Sequence, residues 1–409
     1  MTEHFLNLHL LVTSSVANAN RDDTGAPKQV TYGGVTRHRL SSQAMTRAKR
    51  IDFELAAGGG QVSYRAKGGM VELALTQAAE LARQAGRPLT TEETTKVQSL
   101  LATSVSALVM NREKAVMATA ERARSRQARR SKTADAAEAQ TEAAETGEEP
   151  ADDTGKKDTL TWLAEHEVRD LVANSLTEVR GGATAGDFVN KAGRTQSLSI
   201  AAFGRMFAFR PDLQNEAAVQ RSHAFTTHAA DIEPDYFTAV NDLPLPGEGG
   251  GAGHLDMAQY GGGTFYWHAN IDRRQLWTTW IAGGDDTATR ARLQMFFTSL
   301  LLALPSGRKT TTAHKTVPDA VLAVPAASPV ALHQAFEAPV TSTGEGFRQP
   351  SVERLLAAHE QVRAFTPRQF PVPALYAGTL AAPAGGTVTV QPSLDALVDA
   401  CVDWAMTGR

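Results

Sequence analysis

Between Gln127 and Thr159 the chain carries no Val, Ile, Leu, Met, Phe, Trp, Tyr or Cys. A segment of Ala, Glu, Asp and Thr with a basic start cannot bury enough apolar surface to offset its ordering entropy. It reads as a disordered surface insertion, so any core must be assembled from the residues on either side. Those residues suffice, since 42% of the chain is hydrophobic and 21% charged, ordinary values for a globular protein. A length of 409 residues allows two or three domains, or one domain with large insertions. No repeat with a period of 20–50 residues is visible, which disfavours a solenoid.

The single cysteine, Cys401, excludes an internal disulfide and fits a reducing cytosol. It lies in a helical apolar pattern with Leu394, Leu397, Val398 and Val402, so core packing is its expected role. No apolar run approaches a membrane span, and the N-terminal FLNLHLLV lacks the basic region of a signal peptide. A cytoplasmic protein with no membrane partner is expected. Leu6, Leu8 and Leu10 alternate with Asn7 and His9, which predicts a half-buried first strand.

Periodicity predicts helices at about 70–84 and 92–125, with helical spacing returning through Leu160, Leu163, Val168 and Leu171. SLSIAAFGRMFAF (197–209) and AVQRSHAFTTH (218–228) read as strands. The chain between His228 and Gly263 is Gly- and Pro-rich and reads as a long loop, a kind of connection that tends to be functional. Strand character resumes over Thr264–Ile271, followed by helices at 272–281 and 287–304. A basic Gly turn (306–315) precedes an apolar run from Val321 to Val324. Helices are expected near 329–337, 350–364 and 393–406. Strands scattered among helices, with no GxGxxG or GxxxxGK[ST], argue for an α+β fold rather than a doubly wound nucleotide fold.

The formal net charge is only -3, yet Asn20 to Arg50 holds seven Lys/Arg against two Asp. Its second half reads as a helix in which Ala44, Ala48, Ile51 and Leu55 form an apolar stripe. Gln43, Arg47 and Arg50 form a separate stripe, with Ser41 and Ser42 where an N-cap would sit. Helix-start amides and Arg forks both donate to phosphate oxygens. A solvated basic helix face is the competing reading. Arg21, Lys28, Arg37 and Arg39, beside the Gly33-Gly34 turn, favour an anion-binding surface.

No constellation assembles an active site. Asp22 and Asp23 could bind Mg²⁺ or act as a base near a phosphodiester, but adjacent carboxylates rarely converge on one atom. His223 and His228 fall on opposite faces of a strand pattern, and no HExxH supports zinc. His254 reads as a plain loop histidine, and Ser41 and Ser42 lack a GxSxG elbow. No cofactor, metal or catalytic residue is expected. Arg205, Met206, Arg308, Lys309, Tyr236, Phe237 and Thr238, by contrast, combine cations with aromatic and Met side chains. That mixture suits a single strand of nucleic acid.

The run from Asn20 to Arg50 resembles the Cas-seven (CasC) backbone subunit of the type I-E CRISPR Cascade complex. AAFGRM (201–206), HAFTTHAADIEPDYFTAVNDL (223–243), GAGHLDMAQYGGGTFYWHANID (251–272) and GFRQPSVERL (346–355) match in the same order. The resemblance implies an RRM-like (ferredoxin-like) palm made of 1–55, 196–228 and 264–409. It further implies a helical fingers insertion at 56–195 and a protruding thumb loop at 229–263. It implies a non-catalytic subunit that polymerises along CRISPR RNA and kinks it at intervals, so that bases pair with target DNA. Partners would be CRISPR RNA, target DNA through the guide, copies of itself and the large, small, 5′-handle-binding and RNA-processing Cascade subunits. Phosphate contacts would fall on Arg21, Lys28, Ser41, Ser42, Gln43, Arg47 and Arg50. Met206 would sit at the kink with Phe237, Thr238 and Leu255 of the thumb, and Arg308 and Lys309 would form a second basic turn. Thr46 stands where relatives can carry Lys, a contact that is either lost here or supplied by Lys49. The rival class is a metal-dependent ribonuclease of the related type III backbone family, using Asp22 or Asp23.

Overall fold

The computed structural model describes residues 3–58, 61–66, 68–109, 160–184, 186–189, 193–207, 209–240, 252–342, 344–383 and 386–407. The Gln127–Thr159 insertion, the predicted helix beyond residue 109 and residues 241–251 of the expected thumb loop lie outside them. The described elements run β1 (Phe5–Ala17), β2 (Gln29–Tyr32), β3 (Val35–Leu40), α1 (Ser42–Ala57), β4 (Ser63–Ala66), α2 (Gly69–Gln84), α3 (Thr91–Val109), β5 (Thr161–Ala164), α4 (Glu165–Val179) and α5 (Leu198–Phe203). They continue with β6 (Val219–Arg221), β7 (Ala224–Thr226), β8 (Glu233–Val240), β9 (Ala252–Asp272), α6 (Arg273–Thr279), α7 (Asp286–Leu302), α8 (Lys309–Thr312), β10 (Ala320–Ala326), α9 (Arg348–Phe365), β11 (Leu375–Gly378), β12 (Thr389–Val390) and α10 (Leu394–Met406). The fold is mixed α+β. Among the described residues no helix is long and apolar enough to cross a membrane.

Contacts divide the chain into two units, Met1–Gly58 with Ala217–Arg409, and Gly59–Glu216. The first is built on a sheet in the order β12-β11-β10-β1-β9-β7-β3-β2, with β6 and β8 also pairing to β9. Its pairs are antiparallel except β11 with β12.

β1 departs from the half-buried strand expected, because both of its faces are covered. Leu6, Leu8 and Leu10 are buried, and so are Asn7 and His9. On one face Leu11 and Tyr266 join Leu322, Phe336, Val352 and Leu355 in a core cluster. Alternation along β9 turns Trp267 to the other face, where Lys49 of α1 lies over its ring and Phe53 meets Phe296 of α7 edge-on at 5.6 Å. Asn7 is tolerated inside because it is satisfied: Val330 N donates to its Oδ1 at 2.9 Å, and its Nδ2 donates to Ser328 O at 3.3 Å. Tyr266 Oη takes the Leu332 amide at 3.1 Å and donates to His9 Nδ1 at 2.9 Å.

In the second unit β4 pairs with β5 beside α2, α3 and α4, whose Ala74, Val97, Leu101, Val168 and Leu171 share a core. Leu160 to Leu171 is therefore a strand followed by a helix, not helix throughout. The strand expected at 197–209 is instead the short helix α5. Ser197 caps it by accepting from Ile200 N at 3.3 Å, and Gly204 ends it at φ 75°. A local cap and stop thus override an apolar pattern that suits either state. The long loop expected before Gly263 is, where described, a two-stranded ribbon. β9 pairs with β1 from Gly261 to Asp272, and its earlier half pairs with β8.

Candidate nucleic-acid interface

The cations of the first unit gather around the start of α1. Ser41 is the N-cap, and its Oγ accepts from Ala44 N at 3.2 Å. Asn20 Oδ1 accepts from Ser41 N at 2.8 Å, and His223 Nδ1 accepts from Ser42 N at 2.8 Å. These bonds use most of the first-turn amides, so the helix start is closed by side chains rather than left open to phosphate. What faces outward is the ring of side chains about it: Ser42, Gln43, Arg47, Lys28 and Arg39. Gln43 and Arg47 are exposed, one helical turn apart on the same face. Lys28 and Arg39 line one cleft with Asn20, Leu40, Leu304, Pro305 and His314.

The Asn18–Lys28 loop that carries Arg21 is tightly tied. Asn18 Nδ2 donates to Gly25 O at 2.8 Å and to Gln259 O at 2.9 Å. Lys28 N donates to Asn20 O, and Arg39 N to Lys28 O at 2.7 Å. Asp22 holds the loop from within: its Oδ1 accepts from Thr24 Oγ1 at 2.7 Å and from the amides of Thr24 and Ala26 at 3.0 Å. The Thr24 hydroxyl, helped by those amides, keeps this carboxyl below its ordinary pKa. Among the described residues no group of three His, Cys, Asp or Glu could hold a metal ion.

The second basic turn lies against the same segment. Gly307 packs so closely on Ala19 that a Cβ there would sit 2.4 Å from Ala19 O. Arg308 adopts a left-handed φ of 50° and reaches Tyr260 Oη at 3.4 Å, with Lys309 exposed beside it. Arg21, Lys28, Arg39, Arg47, Arg308 and Lys309 form no ion pair among the described residues. On the ribbon, Phe237 faces Asp256 and Thr238 faces Leu255, which joins the three expected thumb residues in adjacent register. Tyr236 and Met257, also paired, are exposed.

Four cations expected on the surface are elsewhere. Lys49 is only 2% exposed; its Nζ donates to Leu300 O at 2.6 Å and Ala303 O at 3.0 Å, capping the end of α7. Arg50 pairs with Glu54 at 2.9 Å, both buried. The inward face of α1 is therefore Met45, Lys49 and Phe53, while Leu55 of the expected apolar stripe is 77% exposed. Arg37 is fully buried and donates to Thr226 O and Phe336 O at 3.0 Å. In the second unit Arg205 makes a buried bidentate pair with Glu167 at 2.5 and 2.9 Å, while the adjacent Met206 is 78% exposed. His223 is the site residue that sequence reasoning set aside. Its position against α1 depends on a β3–β7 pairing that no local pattern encodes.

A profile of the CT1975-like protein family matches residues 6–400. Among solved structures, a chain described as "CRISPR RNA-guided surveillance complex, pre-nicking" is 25% identical with a TM-score of 0.71, over 98% of this chain and 100% of that one. Another, described as "CRISPR RNA-guided surveillance complex", is 23% identical with a TM-score of 0.57, over 98% and 99%. No curated protein matches.

Proposed function

The chain belongs to the CT1975-like protein family, and on that footing we propose that it is a non-catalytic backbone subunit of a CRISPR RNA-guided surveillance complex. Copies of it line up along the CRISPR RNA, hold the phosphates and leave the bases free to pair with target DNA. Sequence information then resides in the RNA, and the protein reads backbone shape. The type I-E assignment rests on the ordered residue blocks from Asn20 to Leu355. The RRM-like palm is supported by the element order β1-α1-β7-β9-α7-β10 and the spatial order β10-β1-β9-β7. Arg21, Lys28, Ser42, Gln43 and Arg47, together with Arg39, supply the main grip, and Arg308 with Lys309 the second. Ser41 acts through the helix it caps. Phe237, Thr238 and Leu255 on the ribbon serve the kink; Met206 of the second unit is an exposed candidate by itself.

The observation that carries this reading is a set of cations with no carboxylate partner among the described residues, grouped at one helix start in a chain matched over 98% of its length by a chain of a CRISPR RNA-guided surveillance complex. Asp22, committed to its own loop, lends the ribonuclease alternative no support. Binding of a labelled single-stranded RNA should weaken steeply with salt. The triple variant K28A/R39A/R47A should flatten the log–log slope by about 0.7 per cation removed. An unchanged slope would place the RNA on another face.

A further inference from the structure

The connection between β6 and β7 has a shape that ordinary pairing does not require. β6 ends with Arg221 opposite Ala269, and β7 places Phe225 opposite Tyr266. The short strands thus spend one residue more than β9 over the same span. Such a bulge re-aims a side chain, and bulges are over-represented beside functional sites. Ser222 pins this one, its amide donating to His268 O at 2.8 Å and its hydroxyl accepting from His268 N at 3.0 Å. The side chain sent outward is His223, which is exposed.

His223 is oriented on one side only. Nδ1 accepts from Ser42 N at 2.8 Å, and the Arg39 Nη1 donor lies 3.5 Å from the same nitrogen. With its Nδ1 lone pair committed, the neutral ring carries its proton on Nε2. That N–H makes no hydrogen bond among the described residues, while Arg39, which lines the cleft with Lys28, reaches the other side of the ring. Partial burial, with Arg39 and Lys28 nearby, lowers the pKa of the ring below its ordinary 6.5, which keeps it neutral at pH 7.

We propose that His223 is a phosphate-binding residue of the RNA face, donating its Nε2–H to a non-bridging oxygen of the phosphate held by Lys28 and Arg39. This rests on the RNA-binding reading above. A bulge that merely capped α1 would need only the Nδ1 acceptor. The arrangement instead fixes both the tautomer and the direction of a neutral donor beside two flexible cations, which adds positional definition that Lys and Arg alone do not provide.

The test is the affinity of the full-length protein for a fluorescein-labelled single-stranded oligoribonucleotide of mixed sequence, measured by anisotropy across a salt series. His223→Asn keeps an acceptor for Ser42 N but not the outward donor; His223→Gln places an amide donor near the Nε2 position. His223→Ala and His223→Asn should each weaken binding about tenfold, the scale of one hydrogen bond to a charged group, and His223→Gln should recover most of it. The salt slope should stay unchanged in all three, because a neutral donor displaces no counterion, whereas K28A/R39A must flatten it. Wild-type affinity in His223→Asn or His223→Ala would reduce His223 to a helix cap and overturn the proposal. The same oligonucleotide in deoxy form should show the same ratio; a loss confined to RNA would move the contact to the ribose 2′-hydroxyl and overturn the phosphate assignment. A wild type without salt-dependent binding would instead refute the RNA-binding reading, and the role of His223 with it.

Discussion

Replacing Lys49 by Met separates a buried cap from a phosphate contact. The Met side chain keeps most of the stem volume under Trp267 but removes the Nζ that donates to Leu300 O at 2.6 Å and Ala303 O at 3.0 Å. Two carbonyls at the end of α7 then lose their donor, and the ring of Trp267 loses a cation 4.3 Å away. Relief from burying the amine offsets part of this, leaving a net loss on the order of 1–3 kcal/mol at pH 7. Burial lowers the Lys49 pKa from 10.5 to about 7. Between those values the unfolded chain holds a proton that the folded chain has released. Stability conferred by this group therefore rises with pH, by about 2 kcal/mol from pH 7 to pH 9. Lys49→Met lacks that gain, so the gap between the two proteins should widen by the same amount. Urea unfolding of both at the two pH values measures it. A gap independent of pH would show that the carbonyls and the negative end of α7 hold the ammonium charged throughout, refuting the pH argument. Affinity for single-stranded RNA should be unchanged, and a large loss in a folded variant would return Lys49 to the phosphate-binding set.

The other predictions concern stability. Arg205→Ala strands the Glu167 carboxylate, 1% exposed, and should cost about 3–5 kcal/mol, read as a lower urea midpoint for the second unit with the first unaffected. Acid should weaken the sheet core. His268 is buried with its pKa lowered to about 3, stacked on His9 at 4.8 Å and edge-on to His333 at 6.0 Å. Below pH 6.5 the unfolded chain takes up a proton that the folded chain refuses, so this residue costs about 1.4 kcal/mol per pH unit as pH falls. His268→Phe should shrink the stability difference between pH 6.5 and 4.5; an unchanged difference would assign the acid sensitivity to other groups. Gly33→Ala should be strongly destabilised, since φ is +60° and the added Cβ would meet Glu337 O at 1.6 Å; a wild-type midpoint would refute that contact.

What could be read from the sequence was mostly local. Ser41 capping a helix with Arg47 on its outer face, and the helices near 70–84, 287–304 and 393–406, all follow from caps and periodicity. Local pattern fails where two patterns compete or where partners are remote. In α1, Ala44-Ala48-Ile51-Leu55 and Met45-Lys49-Phe53 both satisfy a helical stripe. The second faces inward because the aliphatic stem of Lys49 packs on Trp267 while its amine finds the α7 carbonyls, a residue pairing some 250 positions distant. Asn7 and His9 alternate with Leu as a solvent face would, because the layer that covers them comes from Ser328, Val330 and the residues after them. The ribbon strands at 233–240 and 252–260 read as a loop because the Gly and Pro content of this stretch masks strand alternation. Which cations reach the surface was thus a tertiary question: Arg37, Lys49, Arg50 and Arg205 are indistinguishable by type from Lys28, Arg39 and Arg47.

The central claim is that the free cations around α1 organise the protein on CRISPR RNA. The most direct measurement is the mass and ultraviolet absorbance ratio of the full-length protein, co-expressed with a CRISPR RNA and the companion subunits, compared with the same preparation of K28A/R39A/R47A. The wild type should form a large nucleic-acid-rich particle containing several copies of the protein, and the variant should lose that particle while remaining folded in its free form. A variant that assembles on the RNA as the wild type does would contradict the claim.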